Sequence, residues 1–314
     1  MDEAHEGPRL VALTGATGFI GRHLQDALVT GGYRIRALVR PGSTTRAHLN
    51  PEVETIDAGF DASACTQLVH GASAVIYCAG AVRGRTYRDF ETANVRGVEA
   101  LAAAAAQMEK PPPFLLVSSL AATRPEVSDY ARSKHAGEQA IEGHTRLPWT
   151  VLRPPAVYGS GDREMLPLLR SVWQGLTPMV GGPDQRLSLI HVEDLVEAML
   201  AWLADSSQCV HQAFELHDGR EGGYDWDSIS RSAPRHRPRK FSVPRVLLSG
   251  IATLNSALSV VFRYTPMLTP GKVNELCQPD WVCDNTRFTA ATQWQPTINL
   301  EQGLARLFSD CKHV

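Results

Sequence analysis

The sequence TGATGFIG at Thr14–Gly21 follows an apolar run, LVALT at Leu10–Thr14, and precedes a segment with the apolar periodicity of a helix. Its glycines, Gly15, Gly18 and Gly21, have the spacing G-x-x-G-x-x-G. The first permits a tight turn, the second lets a phosphate approach the backbone, and the third lets the helix pack closely on the strand. The helix N-terminus then offers unpaired N–H groups to an anion. The stretch therefore predicts a dinucleotide-binding turn.

Short runs rich in β-branched residues alternate with helical segments through the first half of the chain. After the first strand, the predicted strands are Arg34–Val39, Ala74–Cys78, Phe114–Ser118 and Thr150–Leu152, and an alanine-rich helix is predicted at Thr92–Met108. This alternation is typical of a parallel sheet covered by helices. We predict an α/β fold, a Rossmann-type doubly wound parallel sheet.

Glycine and proline become frequent after Arg153, which indicates a loop-rich lobe over the carboxyl ends of the strands. We assign residues 8–157 and 186–217 to an NAD(P)-binding Rossmann domain. Residues 158–185 and 218–314 are assigned to a smaller, discontinuous substrate-binding lobe.

The composition is ordinary for a globular protein, with 314 residues, 43% of them hydrophobic, and a formal net charge of −2. That charge gives no indication of a nucleic-acid partner or of an anionic membrane surface. The first residues, MDEAHEGPRL, lack the order of a signal peptide, so a cytoplasmic location is expected. The six cysteines lack the spacing of a zinc site or a disulfide framework, so no metal site is expected.

The uncharged segment Val246–Phe262 lies at the lower limit of length for crossing a bilayer. Its apolar residues recur at helical steps, with serines and an asparagine between them; they are Leu247, Ile251, Leu254, Leu258 and Val261. We expect a packed helix rather than a transmembrane span, with contact to a membrane surface as the alternative.

The end of the second strand bears on the choice of cofactor. NAD sites usually place an acidic residue there, whereas NADP sites place a cation near the additional phosphate. Here Arg40 follows the strand, and no acidic residue occurs between Arg40 and Glu52. Arg40 can pair with the phosphate through two hydrogen bonds, or it is simply a solvated arginine. The sequence favours NADP(H), with NAD(H) as the alternative.

Three residues have the chemistry of a proton-transfer site. Tyr130 and Lys134 are four residues apart in YARSK and would share one face of a helix. A neighbouring ammonium stabilises a phenolate and lowers the pKa of the tyrosine, which makes it usable as an acid or a base. Ser119, at the end of the strand FLLVSS, could hydrogen-bond the same substrate oxygen.

In its order of motifs the chain resembles the short-chain dehydrogenase/reductase superfamily, and more closely its extended, NAD-dependent epimerase/dehydratase-like branch. The resemblance covers nearly the whole chain. Besides the glycine-rich turn, it rests on CAG (Cys78–Gly80), NVRG (Asn94–Gly97), VSS (Val117–Ser119), YARSKHAGE (Tyr130–Glu138), LRPPAVYGSGD (Leu152–Asp162) and LIHVEDL (Leu189–Leu195).

The resemblance implies that Tyr130 is the catalytic acid/base and that Ser119, rather than Ser118, orients the substrate oxygen. Lys134 would bind the nicotinamide ribose and lower the tyrosine pKa, and Asn94 would be the family's structural asparagine. The residues expected to contact the cofactor are Gly15, Thr17, Gly18, Phe19, Ile20, Gly21, Arg40, Ala79, Tyr130, Lys134 and Pro154. The resemblance also makes His191 a structural strand-to-helix junction, with Asp194 near the helix start.

Three reactions share this machinery in the family: carbonyl reduction, sugar epimerisation and dehydration. A dehydratase needs a further acid/base pair after the active-site Ser, but Leu120, Ala121 and Ala122 follow Ser119. Nucleotide-sugar members often have an asparagine where this chain has Pro154–Ala156, and an arginine where it has Leu187, one position from Arg186. These departures argue against a diphosphate-bearing substrate.

The apolar residues of the lobe suit a lipophilic substrate, unless they form the lobe's own core. Arg83 and Arg85 either bind an anionic substrate group or lie in a solvated loop. We predict an oxidoreductase that acts on a secondary alcohol or ketone of a small apolar molecule. A nucleotide-sugar epimerase and a non-catalytic NAD(P)-binding assembly or regulatory subunit are the alternatives, and a homodimer is a further expectation.

Overall fold

Seven parallel strands form the central sheet in the computed structural model, which describes residues 9–234, 238–262 and 264–309. In chain order the strands are β1 (Leu10–Thr14), β2 (Arg34–Val39), β3 (Glu54–Asp57), β4 (Ala74–Tyr77), β5 (Phe114–Val117), β6 (Trp149–Arg153), β7 (Ala156–Tyr158), β8 (Leu176–Val180), β9 (Arg186–Leu187), β10 (Leu189–His191), β11 (Gln212–Glu215), β12 (Arg239–Val243) and β13 (Asp280–Trp281).

The α-helices cover both faces of that sheet and build the lobe. They are α1 (Phe19–Thr30), α2 (Ala62–Val69), α3 (Tyr87–Glu91), α4 (Gly97–Ala106), α5 (Asp129–Glu142), α6 (Leu166–Trp173), α7 (Val192–Ala204), α8 (Trp226–Arg231), α9 (Arg245–Phe262), α10 (Pro270–Leu276), α11 (Thr286–Thr292) and α12 (Leu300–Phe308).

The strand order β11-β6-β5-β4-β1-β2-β3 confirms the predicted Rossmann-type sheet. Helices α1 and α7 bury Leu24, Leu28 and Trp202 against one face, and α2, α4 and α5 cover the other. Because both faces are covered, the strands are continuous apolar runs, and every residue of β1 is buried. Strand order reverses between β1 and β4, which opens a crevice at the carboxyl ends of these strands.

The helix expected at Thr92–Met108 begins with a π turn at Thr92–Arg96, and α4 follows it. The Tyr77 hydroxyl donates a hydrogen bond of 2.6 Å to the Ala93 carbonyl. A Cβ at Gly97 would overlap that hydroxyl, so the helix must widen where it passes β4. The turn also directs the buried Asn94 towards the crevice.

Outside the central sheet, three short parallel pairs link separate parts of the chain: β7 with β10, β8 with β12, and β9 with β13. Helix α11, at the C-terminal side of the predicted lobe, returns to the central sheet, where Phe288 packs against Phe214 of β11. The division into two domains stays a prediction. Residue 8, residues 310–314 with Cys311, and most of the N-terminal MDEAHEGPRL fall outside the described ranges.

Helix α9 contains the predicted segment Val246–Phe262 and begins one residue earlier, at Arg245. The described part of its apolar stripe faces solvent, since Leu247, Ile251, Leu254 and Leu258 are exposed, whereas Ala252 and Ser259 are buried. The side chain of Val261, the fifth residue of the stripe, lies outside the described residues. The expectation of a stripe packed against the lobe is therefore wrong. Within the described residues, no helix combines the length and the apolar character needed to cross a membrane.

Candidate active site

The glycine-rich turn packs directly on the end of β4. Gly15 has φ +75°, and a Cβ on it would lie 2.6 Å from the Ala79 nitrogen. A Cβ on Gly21 would overlap the Gly15 carbonyl oxygen. The Ala79 N–H donates a hydrogen bond of 3.2 Å to Thr14 Oγ1. Only glycine fits these two positions, so the turn brings the start of α1 and the end of β4 together.

The N-terminus of α1 has room for an anion. Gly18 is its exposed N-cap residue, no side chain caps the helix, and its first turn has no acidic residue. Thr17, Phe19 and Ile20 are half-buried around it. The first amides of the helix are thus available to a diphosphate, which the partial positive charge of the helix end also favours. These residues fit the predicted dinucleotide.

Arg40 is exposed immediately after β2. Strand β2 runs parallel to β1, with Leu38 opposite Thr14, so Arg40 lies at the same edge as the glycine-rich turn. This is the position at which a cation can meet the additional phosphate of NADP.

Ser119 and Tyr130 lie together where β5 ends. Ser119 Oγ accepts a hydrogen bond of 3.2 Å from the Ala121 N–H. The Ser119 hydroxyl is also close enough to the Tyr130 phenol to lower its pKa. Tyr130 is in the first turn of α5, which Ser128 caps. The ring of Phe90 lies edge-on to the Tyr130 ring, with 6.0 Å between centroids. The structure thus brings the two hydroxyls to one place, and their contact with a shared substrate oxygen stays a prediction.

Lys134 extends from α5 to the sheet rather than into solvent. It is 8% exposed, and its Nζ donates a hydrogen bond of 3.0 Å to the Val117 carbonyl. A Cβ on Gly80 would be 3.1 Å from this nitrogen. Burial lowers the pKa of Lys134 to about 8, against the opposing effect of Cys78 and Glu138. Lys134 thus lies beneath the crevice, and its binding of a ribose and its effect on Tyr130 stay predictions.

Asn94 connects the loop after β4 to helix α5. Its amide nitrogen donates to the Ala81 carbonyl at 3.0 Å and to Ser133 Oγ at 2.9 Å, and its Oδ1 accepts from the Ala81 N–H at 2.8 Å. Ser133 Oγ in turn donates to the Tyr130 carbonyl at 2.7 Å. These bonds fix Tyr130 relative to the crevice.

Pro154 lies beside the same edge, after β6. Its carbonyl accepts a hydrogen bond of 2.8 Å from the Leu120 N–H, directly after Ser119. Pro154 is buried. It therefore lines the turn that positions the serine hydroxyl.

Sequence reasoning missed a second cation at the site. Lys272, on α10 of the lobe, has its Nζ 6.0 Å from the centroid of the Tyr130 ring. It forms an ion pair of 2.9 Å with Glu275, which also accepts a hydrogen bond of 2.5 Å from Ser128. No local pattern connects α10 with Tyr130, because the tertiary fold alone brings these distant segments together.

The surroundings of Tyr130 affect its pKa in both directions. Burial raises the pKa of the phenol above its usual value, and the hydrogen bond with Ser119 lowers it. The negative charges of Glu275 and Glu164 raise it, and the positive charge of Lys272 lowers it. The phenol is accordingly protonated at neutral pH, the form that donates a proton.

The two arginines after β4 have different positions. Arg83 is half-buried and forms a 2.6 Å ion pair with Glu164 from the loop after β7. Arg85 is exposed, and its backbone N–H donates to Asp89. The negative charge of Glu164 also raises the pKa of Tyr130.

His191 and Asp194 contribute to folding in this structure. His191 Nδ1 accepts a hydrogen bond of 3.3 Å from the Glu193 N–H and so caps α7. The Asp194 carboxylate accepts bonds from the backbone N–H groups of Thr297 and Ile298. Both residues fix the junction between β10 and α7, as predicted.

Comparisons with known proteins agree with this geometry. Residues 11–215 match the sequence model of the NAD dependent epimerase/dehydratase family. The chain is 38% identical over 277 residues to a ceramide reductase of Caulobacter vibrioides, covering 87% of this chain and 85% of that protein. It is 27% identical over 249 residues to the mitochondrial NADH dehydrogenase [ubiquinone] 1 alpha subcomplex subunit 9 of Arabidopsis thaliana, covering 74% of this chain and 61% of that protein.

Among solved structures, the fold is similar to that of UDP-glucuronic acid 4-epimerase from Bacillus cereus, crystallised with UDP-glucuronic acid and NAD. The TM-score is 0.70 and the identity 17%, over 95% of this chain and 97% of the epimerase. The family match covers the sheet and the Ser119–Tyr130–Lys134 region, and the ceramide reductase extends the similarity into the lobe. The chain therefore belongs to the NAD-dependent epimerase/dehydratase family and is an NAD(P)-dependent oxidoreductase or epimerase.

Proposed function

We propose that this enzyme is an NAD(P)H-dependent reductase that converts a lipophilic ketone, of the ceramide type, to the secondary alcohol. The observation that carries the proposal is the closeness of the Ser119 hydroxyl to the Tyr130 phenol, where α5 packs on the turn that Ser119 caps. A carbonyl oxygen placed between these hydroxyls would receive two hydrogen bonds. It would also lie next to a proton donor.

The cofactor would be held by the start of α1, by Ala79 and Pro154 at the strand ends, and by Lys134 at the ribose. When bound, it supplies the hydride for the carbonyl carbon. The carbonyl oxygen then gains negative charge, and Tyr130 Oη transfers its proton to this oxygen to give the alcohol. Ser119 Oγ keeps the oxygen in place through a hydrogen bond that strengthens as the charge develops.

The substrate class is supported by the ceramide reductase, whose similarity includes most of the lobe. A further feature favours an apolar substrate over a nucleotide sugar. Pro154 and Pro155 stand where sugar-diphosphate-binding relatives often have an asparagine. Neither proline has a side-chain donor for a diphosphate.

A role as a non-catalytic subunit is the second candidate, because the Arabidopsis relative is named as a subunit of NADH dehydrogenase. The buried lysine and the paired hydroxyls argue for turnover, since a protein that only binds a nucleotide needs no proton donor at the strand ends. The cytoplasmic location and the homodimer expected from the sequence stay predictions.

For the cofactor, we propose a preference for NADP(H). The exposed guanidinium of Arg40 at the end of β2 supports it, because an acidic residue is the usual partner of the NAD ribose at this position. The solved epimerase contains NAD, so NAD(H) is the alternative.

Replacing Tyr130 by Phe removes one hydroxyl and retains the ring that packs on Phe90. We expect kcat for reduction of the ketone form of a short-chain ceramide to fall about 10²–10⁴-fold, since the proton donor is lost. The assay follows the loss of NADPH absorbance, and cofactor binding, measured by fluorescence titration, should stay within about twofold.

Equal activity of Y130F and the wild type would contradict the assignment of Tyr130. Formation of a sugar isomer from a UDP-sugar without net NADPH loss would establish the epimerase instead. If neither substrate panel turned over although cofactor bound, the subunit role would be favoured.

Replacing Lys272 by Met should alter the pH dependence of the reaction. Reduction requires the protonated phenol, so kcat/KM for reduction declines as pH rises through the pKa of Tyr130. Lys272 lowers that pKa, and its removal leaves Glu275, which raises it. The alkaline limb of the profile should therefore move to higher pH.

Arg132→Met is the matched control. Arg132 is a cation on α5, the helix of Tyr130, and it is two residues from Tyr130 in the sequence. Its guanidinium, however, lies 4.3 Å from the centroid of the Tyr87 ring. In R132M, the alkaline limb of the pH profile of kcat/KM should stay at the wild-type pH. An unmoved limb in K272M, or an equal displacement in both variants, would show that Lys272 does not act on the phenol.

Replacing Arg40 by Ala tests the cofactor preference. If Arg40 pairs with the additional phosphate, KM for NADPH should rise about tenfold while KM for NADH changes less than about twofold. The control is Arg34→Ala, at the opposite end of β2 and also exposed. The KM values for both cofactors are measured by steady-state kinetics. Equal changes in KM for NADPH and NADH in R40A would contradict the pairing of Arg40 with the additional phosphate.

A further inference from the structure

Helix α9 presents an unusually apolar surface to solvent. Large apolar side chains project from it along its whole length, with Val246 84%, Leu254 61% and Phe262 71% exposed. We call this the α9 face, and its members are Val246, Leu247, Ile251, Leu254, Leu258 and Phe262. Isolated exposed apolar residues are normal on proteins, but a continuous patch marks an interaction surface.

The orientation of α9 is the reverse of that of an ordinary surface helix. Its protein-facing side consists mainly of small and polar residues, with Ala252 and Ser259 fully buried and Asn255 half-buried. Asn255 Nδ2 donates a hydrogen bond of 3.0 Å to the Leu268 carbonyl in the loop before α10, whereas the 2.7 Å bond from Ser259 Oγ to the Ser256 carbonyl lies within α9. The Asn255 contact thus joins the polar side of α9 to the protein and leaves the apolar side outward, whereas an ordinary surface helix turns its apolar side to the core.

The charge around α9 indicates what covers the face. Residues 228–271 contain no Asp or Glu, in a chain whose formal net charge is −2. The same stretch contains seven cationic residues: Arg231, Arg235, Arg237, Arg239, Lys240, Arg245 and Arg263. Such a combination of an apolar face and adjacent basic residues is typical of helices that lie in the interface of an anionic lipid bilayer.

Three of these cations are exposed at or shortly before the start of α9. Arg239 and Lys240 are exposed on β12, and Arg245 is the exposed first residue of α9. Lys240 pairs with Asp227, and Arg245 donates a hydrogen bond of 3.0 Å to Asn274 Oδ1. Arg245 thus provides a cation at the N-terminal end of the face, and β12 provides two more in the segment that leads to it.

Helix α9 is connected to the candidate active site through α10. Helix α9 packs against α10, and Arg245 and Asn255 hydrogen-bond to Asn274 and to the Leu268 carbonyl. Helix α10 places Lys272 6.0 Å from the Tyr130 ring centroid. A single helix therefore separates α9 from the residues around Tyr130.

We propose that α9 docks the enzyme on an anionic lipid surface, with the α9 face among the acyl chains and the flanking cations at the headgroups. A second copy of this chain fits less well, because a symmetric contact through the face would bring two acid-free basic segments together. The proposal is independent of the proposed function, since lipid binding is measured without substrate.

The test is flotation of the full-length protein with vesicles of phosphatidylcholine, with and without phosphatidylglycerol. The double variant Leu254→Glu/Leu258→Glu places two carboxylates four residues apart on the α9 face. Its matched control, Ser63→Glu/Gln67→Glu, places the same pair on the exposed side of α2. Circular dichroism should show both variants folded, because all four positions are exposed.

We expect the wild type and S63E/Q67E to bind the anionic vesicles, and L254E/L258E to bind about tenfold more weakly or worse, since charges are excluded from the acyl region. Binding should decrease without phosphatidylglycerol and at high salt, because the basic residues contribute through screened charge. Reduction of a water-soluble ketone should be unchanged in L254E/L258E, which separates this proposal from the reductase assignment.

Equal vesicle binding by the wild type and L254E/L258E would overturn the proposal. Absence of binding by the wild type would do so too. If light scattering then showed a wild-type dimer that L254E/L258E dissociates, the α9 face would be assigned to a second copy.

Discussion

The close contact between the glycine-rich turn and the end of β4 is the constraint on which the candidate site depends. A side chain at Gly15 would collide with the Cys78–Ala79 peptide, and one at Gly21 with the Gly15 carbonyl. With glycine at both positions, the uncapped start of α1 lies at the edge where the strand order reverses. Because β5 is the neighbour of β4, Ser119 emerges beside the same crevice. Backbone packing thus brings an anion site and a hydroxyl together.

Helix α5 is fixed to this edge by contacts on three sides. Lys134 bonds to the Val117 carbonyl of β5, and the buried Glu138 forms a 2.6 Å ion pair with Arg153 of β6. Asn94 reaches Ser133 from the π turn. A proton donor held on a rigid helix keeps its distance to the reacting oxygen, which general acid catalysis requires. Helix α10, from a distant part of the chain, then adds a cation beside Tyr130 that the sheet does not provide.

Much of the fold could be predicted because it is encoded locally. The observed bounds of β1 and β2 equal the predicted ones, since apolar runs and turn residues define them. Lys272 could not be found in this way, because its position beside Tyr130 results from the docking of the lobe. The orientation of α9 could not be found either, since an apolar stripe has the same periodicity whether it faces the core or solvent. Likewise, the net charge of the whole chain conceals the acid-free segment around that helix.

The proposed reduction is tested most directly by a transfer experiment with NADPH or NADH deuterated at the reactive carbon of the nicotinamide. The enzyme is incubated with this cofactor and the ketone form of a short-chain ceramide, and the products are analysed by mass spectrometry. We expect an alcohol that carries one deuterium per oxidised cofactor. An unlabelled lipid with unconsumed cofactor, together with conversion of a UDP-sugar to its isomer, would contradict it.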